Sequence, residues 1–371
     1  MNRRFSRLVV IIFCVFIGGI GFISAVLPDN EFSEMENRNL QSFPKFTSSR
    51  WKSGRYMEEL EEYISDHVVL RDQWVGLKAT LEVMVGKKEN NGVYFGANNT
   101  LINCLTVEDE EQLIKNAENV RSLSQNITVP VYYGLIPTAA EIWNDLLPKG
   151  AVTENESVWI DRLYERANVN SIDFVKALEA HKSEEIYYHT DHHWTSLGAY
   201  YGANTILKAM GLDCLDLENY TEKLVTEEFY GTIYSASGAW WSEADSISYY
   251  IPEAGKTVMS NVNGKEEVGQ LYDFERLHGK NKYAFFLGGN QAHCIVKSEK
   301  NTERILIIRD SYADCLVPFL SERFGEIHMF DLRYNRMSIK DYVEEYKIDK
   351  VLVLYSFSNY IEDENQFLLL R

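Results

Sequence analysis

Apolar positions along this chain fall into two periods. Runs that are apolar at nearly every position, at residues 129–137 (VPVYYGLIP), 282–289 (KYAFFLGG), 304–310 (RILIIRD), 326–332 (EIHMFDL) and 350–357 (KVLVLYSF), have the length of buried strands. A shorter run at 171–175 (SIDFV) reads the same way, and Pro137 stops the first. Between the runs, apolar residues recur at helical spacing at 108–126, 157–169 and 196–210. Strands apolar on both faces that alternate with helices make a mostly parallel sheet covered on both sides. The pattern therefore predicts an α/β fold, with a three-layer α/β/α core.

The flanks read differently. NGVYFG and LINCL, at 91–96 and 101–105, predict a hairpin, and residues 51–85 predict one or two helices around the charged stretch EELEEYISDHVVLRDQW. Residues 29–46 are polar and without period, as in a linker. Residues 220–271 are rich in Gly, Ser, Thr and Tyr with alternating positions, which predicts a small β-rich insertion of the core. The resulting organisation is a segment 1–28, a linker and helical region 29–90, and a main domain 91–371.

In the first segment Arg3, Arg4 and Arg7 precede a charge-free apolar run at residues 8–27. As a helix such a run spans about 30 Å, the thickness of a bilayer core. It is long for a cleaved signal peptide, and Ile23-Ser24-Ala25 makes a poor cleavage site. An uncleaved anchor is the better reading and a cleaved signal the other. In both, the positive flank sends the rest of the chain out of the cytoplasm: a single-pass membrane protein with an extracytoplasmic domain, or a secreted one.

The net charge is −18 and basic residues form no stripe beyond that flank, so phosphate-backbone binding has no electrostatic footprint and nucleic acid is not an expected partner. The five cysteines, Cys14, Cys104, Cys214, Cys294 and Cys315, are far apart and form no CxxC pair. They read as isolated buried thiols, with room for one disulfide, and not as a zinc ribbon.

Three stretches carry candidate chemistry. RILIIRDSYADCLVPFL puts Ser311 between a strand end and an apolar helix-like segment, where α/β enzymes display a nucleophile. Ser311 is also a plausible helix N-cap, with Asp314 in a loose capping box. YYHTDHHWTSLGAYYGA supplies a base and a carboxylate, because an extended Asp191-x-His193 segment points both side chains to one face, just ahead of a helix. There His189, Asp191 and His193 also alternate as a divalent-metal set would, although no second cluster completes a cage, and Thr190 or Thr195 could simply cap the helix. In FFLGGNQAHC, Gly288, Gly289 and Asn290 have the parts of an oxyanion site and equally those of an ordinary turn.

Together these segments resemble the bacterial DHHW proteins, whose tetrapeptide stands here as Asp191-His192-His193-Trp194 within YYHTDHHWTSLGAY, followed by RDSYA and DLRY. They are similar to the SGNH-hydrolase-like domain of the periplasmic alginate O-acetyltransferases. The resemblance implies an SGNH-hydrolase-like fold with Asp191 as orienting carboxylate, His193 as general base and Ser311 as nucleophile. Its spacing selects His193 over His192, and Trp194 is expected to pack beneath the loop. Asn290, Gly289, Tyr312, Arg309 and Arg333 join as oxyanion or substrate-binding candidates, and Arg333 and Tyr355 as cleft candidates for which a structural role is the competing and better reading. Arg309 stands where many SGNH enzymes have Gly, which puts the usual oxyanion geometry in question. No metal and no cofactor are expected.

The implied activity is acyl transfer to or from a cell-surface or exported polysaccharide. The implied partner is a membrane-bound O-acyltransferase that donates the acyl group, with the anchor keeping the domain beside it. A non-catalytic envelope scaffold or carbohydrate-binding protein, and a metal-dependent hydrolase, are the competing functions.

Overall fold

The computed structural model describes residues 3–33, 35–36, 38–252, 257–261, 267–298 and 301–371. The chain divides into two units, residues 1–90 with 238–241, and residues 91–237 with 242–371.

In the first unit, helix α1 (Arg3–Val26) buries none of its residues and is long and apolar enough to cross a membrane. Short strands β1 (Phe32–Ser33), β2 (Arg38–Asn39) and β3 (Glu89–Asn90) and helices α2 (Ser48–Lys52), α3 (Arg55–Asp66) and α4 (Arg71–Met84) follow it. The helical pattern at 51–85 is thus interrupted twice, at Gly54 (φ 83°) and at Leu70 (φ 59°). Asp66 is buried, where an unpaired carboxylate would be costly; Arg38 and Arg71 flank it and also grip Glu36, at 2.7 and 2.6 Å.

The second unit opens with the expected hairpin, β4 (Val93–Phe95) against β5 (Leu101–Asn103). Its centre is an eight-stranded sheet in the order β11 (Glu267–Gly269), β10 (Thr257–Asn261), β12 (His293–Ser298), β14 (Glu326–Phe330), β13 (Arg304–Arg309), β15 (Lys350–Ser356), β6 (Val131–Ile136), β7 (Asn170–Ile172). From β14 to β7 every pairing is parallel, and β12, β10 and β11 add an antiparallel edge. Along β13, Ile305 and Ile307 enter one core and Leu306 and Ile308 the other, and β15 divides its residues in the same way. This is the period of two expected of a strand covered on both faces.

Helices α8 (Phe174–Glu179) and α9 (Ser196–Ala209) cover one face. On the other lie α5 (Glu110–Asn126), α7 (Glu156–Ala167), α12 (Ile339–Tyr346) and α13 (Phe357–Glu362). The fold is the three-layer α/β/α arrangement. Short helices α6 (Ala139–Ile142), α10 (Thr232–Ser237) and α11 (Val317–Leu320) fill connections.

Three expectations change. Residues 282–289 form a 3-10 turn (Lys282–Phe285) followed by a left-handed stretch at Leu287, Gly288 and Gly289, and the strand lies later, at His293–Ser298. Apolarity alone does not distinguish a buried turn from a buried strand. The run at 171–175 ends as a strand at Ile172, because Asp173 accepts from Lys176 N–H (3.0 Å) and starts α8. Of the β-rich stretch, β8 (Tyr220–Phe229) and β9 (Asp245–Pro252) pair with each other around α10, whereas β10 and β11 extend the main sheet. Residues 253–256 and 262–266 of it lie outside the described residues.

At the C-terminal end of β6, Glu156 is fully buried and accepts from Thr138 N–H (2.8 Å) and Thr138 O–H (2.5 Å). Burial, only partly opposed by those bonds, pushes its carboxyl from an ordinary 4.5 up to about 8. The folded protein therefore holds a proton that the unfolded chain gives up first, so this residue's stabilisation is complete below pH 4.5 and is lost as pH rises towards 8. Glu156→Gln should remove that loss, on the order of 5 kcal/mol. Denaturant unfolding across this pH window, compared between the variant and wild type, measures it, and parallel curves would refute it.

Candidate active site

The loop carrying Asp191 is a tight reversal. Tyr187 and Trp194 form an antiparallel bridge, Tyr188 N–H donates to His193 C=O (3.2 Å), and Thr195 N–H to Ile186 C=O (2.9 Å). The tip is pinned by buried Asp245, which accepts from the N–H groups of His189 (2.9 Å) and Thr190 (2.7 Å) and from the Thr190 hydroxyl (2.5 Å). Thr195 caps α9, accepting from Gly198 N–H (3.3 Å), so the capping reading holds for this threonine without displacing the other roles.

Trp194 is fully buried beneath the loop and donates from Nε1 to Tyr312 C=O (3.0 Å). A Cβ on Gly202 would meet its ring at 2.5 Å, so α9 needs glycine there.

The nucleophile turn begins where β13 ends. Asp310, not Ser311, is the cap: its Oδ1 accepts from Tyr312 N–H (3.0 Å). Its Oδ2 accepts from Ser356 N–H, Ser356 O–H and Asn359 Nδ2, each at 2.8 Å. The turn is thereby tied to the end of the neighbouring strand β15, and Ser311, relieved of capping, is only partly buried.

The two segments meet. His193 Nε2 lies 2.7 Å from Ser311 Oγ, and His193 Nδ1 lies 2.5 Å from Asp191 Oδ1. Burial raises the Asp191 pKa, but His192, His193 and hydrogen bonds from His193 and Thr232 N–H outweigh it, leaving the carboxyl well below the usual carboxylate range. An ionised carboxylate only accepts, so His193 Nδ1 carries the proton and its Nε2 lone pair faces the serine hydroxyl. Asp191 Oδ2 accepts from Thr232 N–H (2.8 Å) and Thr232 O–H (3.2 Å). Tyr283 stacks on the His193 ring at 3.7 Å and 12° and donates to Ser311 C=O (3.3 Å).

Other candidates separate from this centre. His189 bonds Thr100 Oγ1 and Glu185 Oε2, both at 2.7 Å, and stacks on Trp143, so the alternating metal set does not converge. Among the described residues, Asp191, His192 and His193 offer ligand atoms within 4.8 Å of one another, with Asp191 and His193 already bonded together.

Arg309 is buried rather than facing a cleft. Its Nη1 donates to Asn290 Oδ1 (3.3 Å) and lies 3.1 Å from Asp314 Oδ1. Burial, opposed by Arg309, raises the Asp314 carboxyl to about 7. Asn290 is exposed and follows Gly289 (φ 96°). The Tyr312 side chain is fully buried with its hydroxyl on His192 C=O, Tyr355 is buried, and Arg333 is clamped on Asp331 by bonds of 2.9 and 2.7 Å. The side chains of Arg309, Tyr312 and Tyr355 thus face the interior, and Arg333 serves a local turn.

Sequence reasoning missed Thr232, Asp245, Tyr283, Ser356 and Asn359. The Gly231-Thr232 pair inside FYGTIYSASG was the available signal. The other four sit among ordinary strand, turn and helix residues.

The family described as DHHW protein matches residues 96–330. The chain belongs to the DHHW family. A DHHW family protein from Eubacterium siraeum is similar at 25% identity over 76% of this chain and 95% of its own, with a TM-score of 0.65. Bacillus cereus PatB1, solved with a sulfonyl adduct, shares the fold at 18% identity, covering 75% of this chain and 98% of its own, with a TM-score of 0.64. No curated protein matches the sequence. In this DHHW protein the Asp and the second His of the signature touch each other, and its buried Trp bonds the serine turn.

Gly231 sits so close to the signature that an added Cβ would fall 2.2 Å from the Asp191 Cβ. Gly231→Ala should therefore displace the Asp191 loop and destabilise the protein by about 1–3 kcal/mol. Gly279→Ala, whose Cβ would meet nothing closer than 3.7 Å, is the control. Denaturant midpoints compare the two, and equal midpoints would refute the steric argument.

Proposed function

We propose that this DHHW protein transfers acyl groups, acetyl foremost, to or from a cell-surface or exported polysaccharide through an acyl-serine intermediate. The observation that carries the reading is the continuous chain of contacts from Asp191 Oδ1 through His193 to Ser311 Oγ, at 2.5 and 2.7 Å. A hydroxyl becomes a nucleophile when a base takes its proton and a carboxylate supports the resulting imidazolium.

In the first half-reaction His193 Nε2 takes the Ser311 proton as Oγ attacks the acyl carbonyl carbon. The carbonyl π pair moves onto oxygen, and that oxyanion is met by the Ser311 N–H and the Asn290 side-chain amide, which Gly289 lets approach. The pair returns, the bond to the leaving oxygen breaks, and His193 gives that oxygen its proton. In the second half-reaction a sugar hydroxyl, or water, passes its proton to His193 and attacks the acyl-serine, and Ser311 leaves reprotonated. Transfer and hydrolysis differ only in this acceptor.

The apolar helix Arg3–Val26 with arginines at its start supports an anchored or exported protein whose remaining chain lies outside the cytoplasm. The acyl donor in this reading is a membrane-bound O-acyltransferase, whose product a tethered domain would meet at raised effective concentration.

The full chain in detergent should release nitrophenol from 4-nitrophenyl acetate. Ser311→Ala and His193→Ala should each lose about 10³-fold or more in kcat, and the double variant should lose no more than either. Full activity in Ser311→Ala would overturn the nucleophile. A sulfonyl fluoride should add one adduct per chain by intact mass, absent in Ser311→Ala.

A further inference from the structure

His192, between the two working members of the signature, bonds neither Ser311 nor Asp191; its Nδ1 is 3.7 Å from Asp191 Oδ1. Its Nδ1 lies instead 2.6 Å from Thr232 Oγ1, and that same oxygen is 3.2 Å from Asp191 Oδ2. A threonine hydroxyl has one proton to donate. Asp191, ionised and an acceptor only, claims it, so the Thr232 oxygen must receive a proton from His192, whose Nδ1 is then the protonated ring nitrogen.

The ring is otherwise well fixed. It lies over His193 at 3.8 Å, its own C=O accepts from the buried Tyr312 hydroxyl, and its side chain is 25% exposed. Burial and the neighbouring His193, opposed by Asp191 and Asp310, lower its pKa to about 4, so the neutral form that keeps one bare nitrogen prevails at neutral pH.

We infer that His192 is a positioning residue: by donating Nδ1–H to Thr232 it compels the Thr232 hydroxyl to point at Asp191, fixing the carboxylate that orients His193. This inference rests on the acyl-serine reading above for its effect on turnover, and on geometry alone for the tautomer. Without His192 the Thr232 hydroxyl is free to turn away, and Asp191 loses one of its donors. The carboxylate charge is then less dispersed and favours the imidazolium more strongly, so the proton leaves the base at higher pH.

The test is a substitution series in the full chain, read as kcat/KM on 4-nitrophenyl acetate against pH. His192→Leu should lower the plateau about tenfold and move the pH midpoint up. His192→Asn, whose amide nitrogen can stand where Nδ1 stood, should recover most of the plateau and return the midpoint. His192→Asp offers only an acceptor, draws the hydroxyl proton away from Asp191, and should fall lowest. In a Thr232→Val background, His192→Leu should have less than about a twofold further effect.

Equal losses in the Leu and Asn variants, an unmoved midpoint, or full additivity with Thr232→Val would overturn the inference. Independently of turnover, ¹⁵N shifts of the histidine rings in wild type should show His192 protonated at Nδ1, and protonation at Nε2 would overturn it. If wild type shows no Ser311-dependent turnover, the acyl-serine reading fails, while the ring shifts still decide the tautomer.

Discussion

A carboxylate taken out of water must be surrounded by donors, and most of the site in this protein follows from meeting that demand for Asp191. Its oxygens take N–H from His193 and Thr232, the imidazole N–H of His193 and the Thr232 hydroxyl. Meeting it requires a chain passing so close that only glycine fits at 231. It also requires a second buried carboxylate, Asp245, to pin the loop by accepting from the backbone N–H groups of His189 and Thr190. Burial alone pushes a carboxyl pKa upward, and the neighbouring histidines and the donors on its own oxygens together keep Asp191 ionised.

The sheet supplies the other half. β13 and β15 are parallel neighbours, so their C-terminal ends open at the same edge. Asp310 exploits this by binding Ser356 and Asn359 just beyond β15. The serine turn is thereby held to the central strands rather than hung on a mobile loop. Trp194 links the two halves, standing under the acid–base loop while bonding the carbonyl of Tyr312 in the serine turn.

The layers of the core were legible because buried parallel strands are apolar throughout and their helices keep a 3.6-residue period. Asp191, His193 and Ser311 drew their roles from the family resemblance, because the residues alone left the serine as a possible N-cap and the histidines as a possible metal set. What failed did so where hydrophobicity is ambiguous. Residues 282–289 are as apolar as any strand, yet Tyr283, Phe285 and Phe286 are buried from a turn. The supporting residues Tyr283, Asp245 and Ser356 carry no local pattern, since each acts through a partner distant in the chain. Arg309 and Tyr312 were candidates for oxyanion or substrate binding, but both side chains are buried, Arg309 against Asn290 and Asp314 and Tyr312 against the His192 carbonyl.

The order of the strands has a consequence for biosynthesis. β15, made from residues 350–356, lies between β13 and β6 near the middle of the sheet. Until it emerges, β6 presents an unpaired apolar edge, and the Asp310 clamp has no Ser356 to bind. The acid–base loop is translated 118 residues ahead of the serine it faces. A nascent chain therefore carries an aggregation-prone edge until residues 350–356 have emerged, and its serine turn lacks the Ser356 clamp until then.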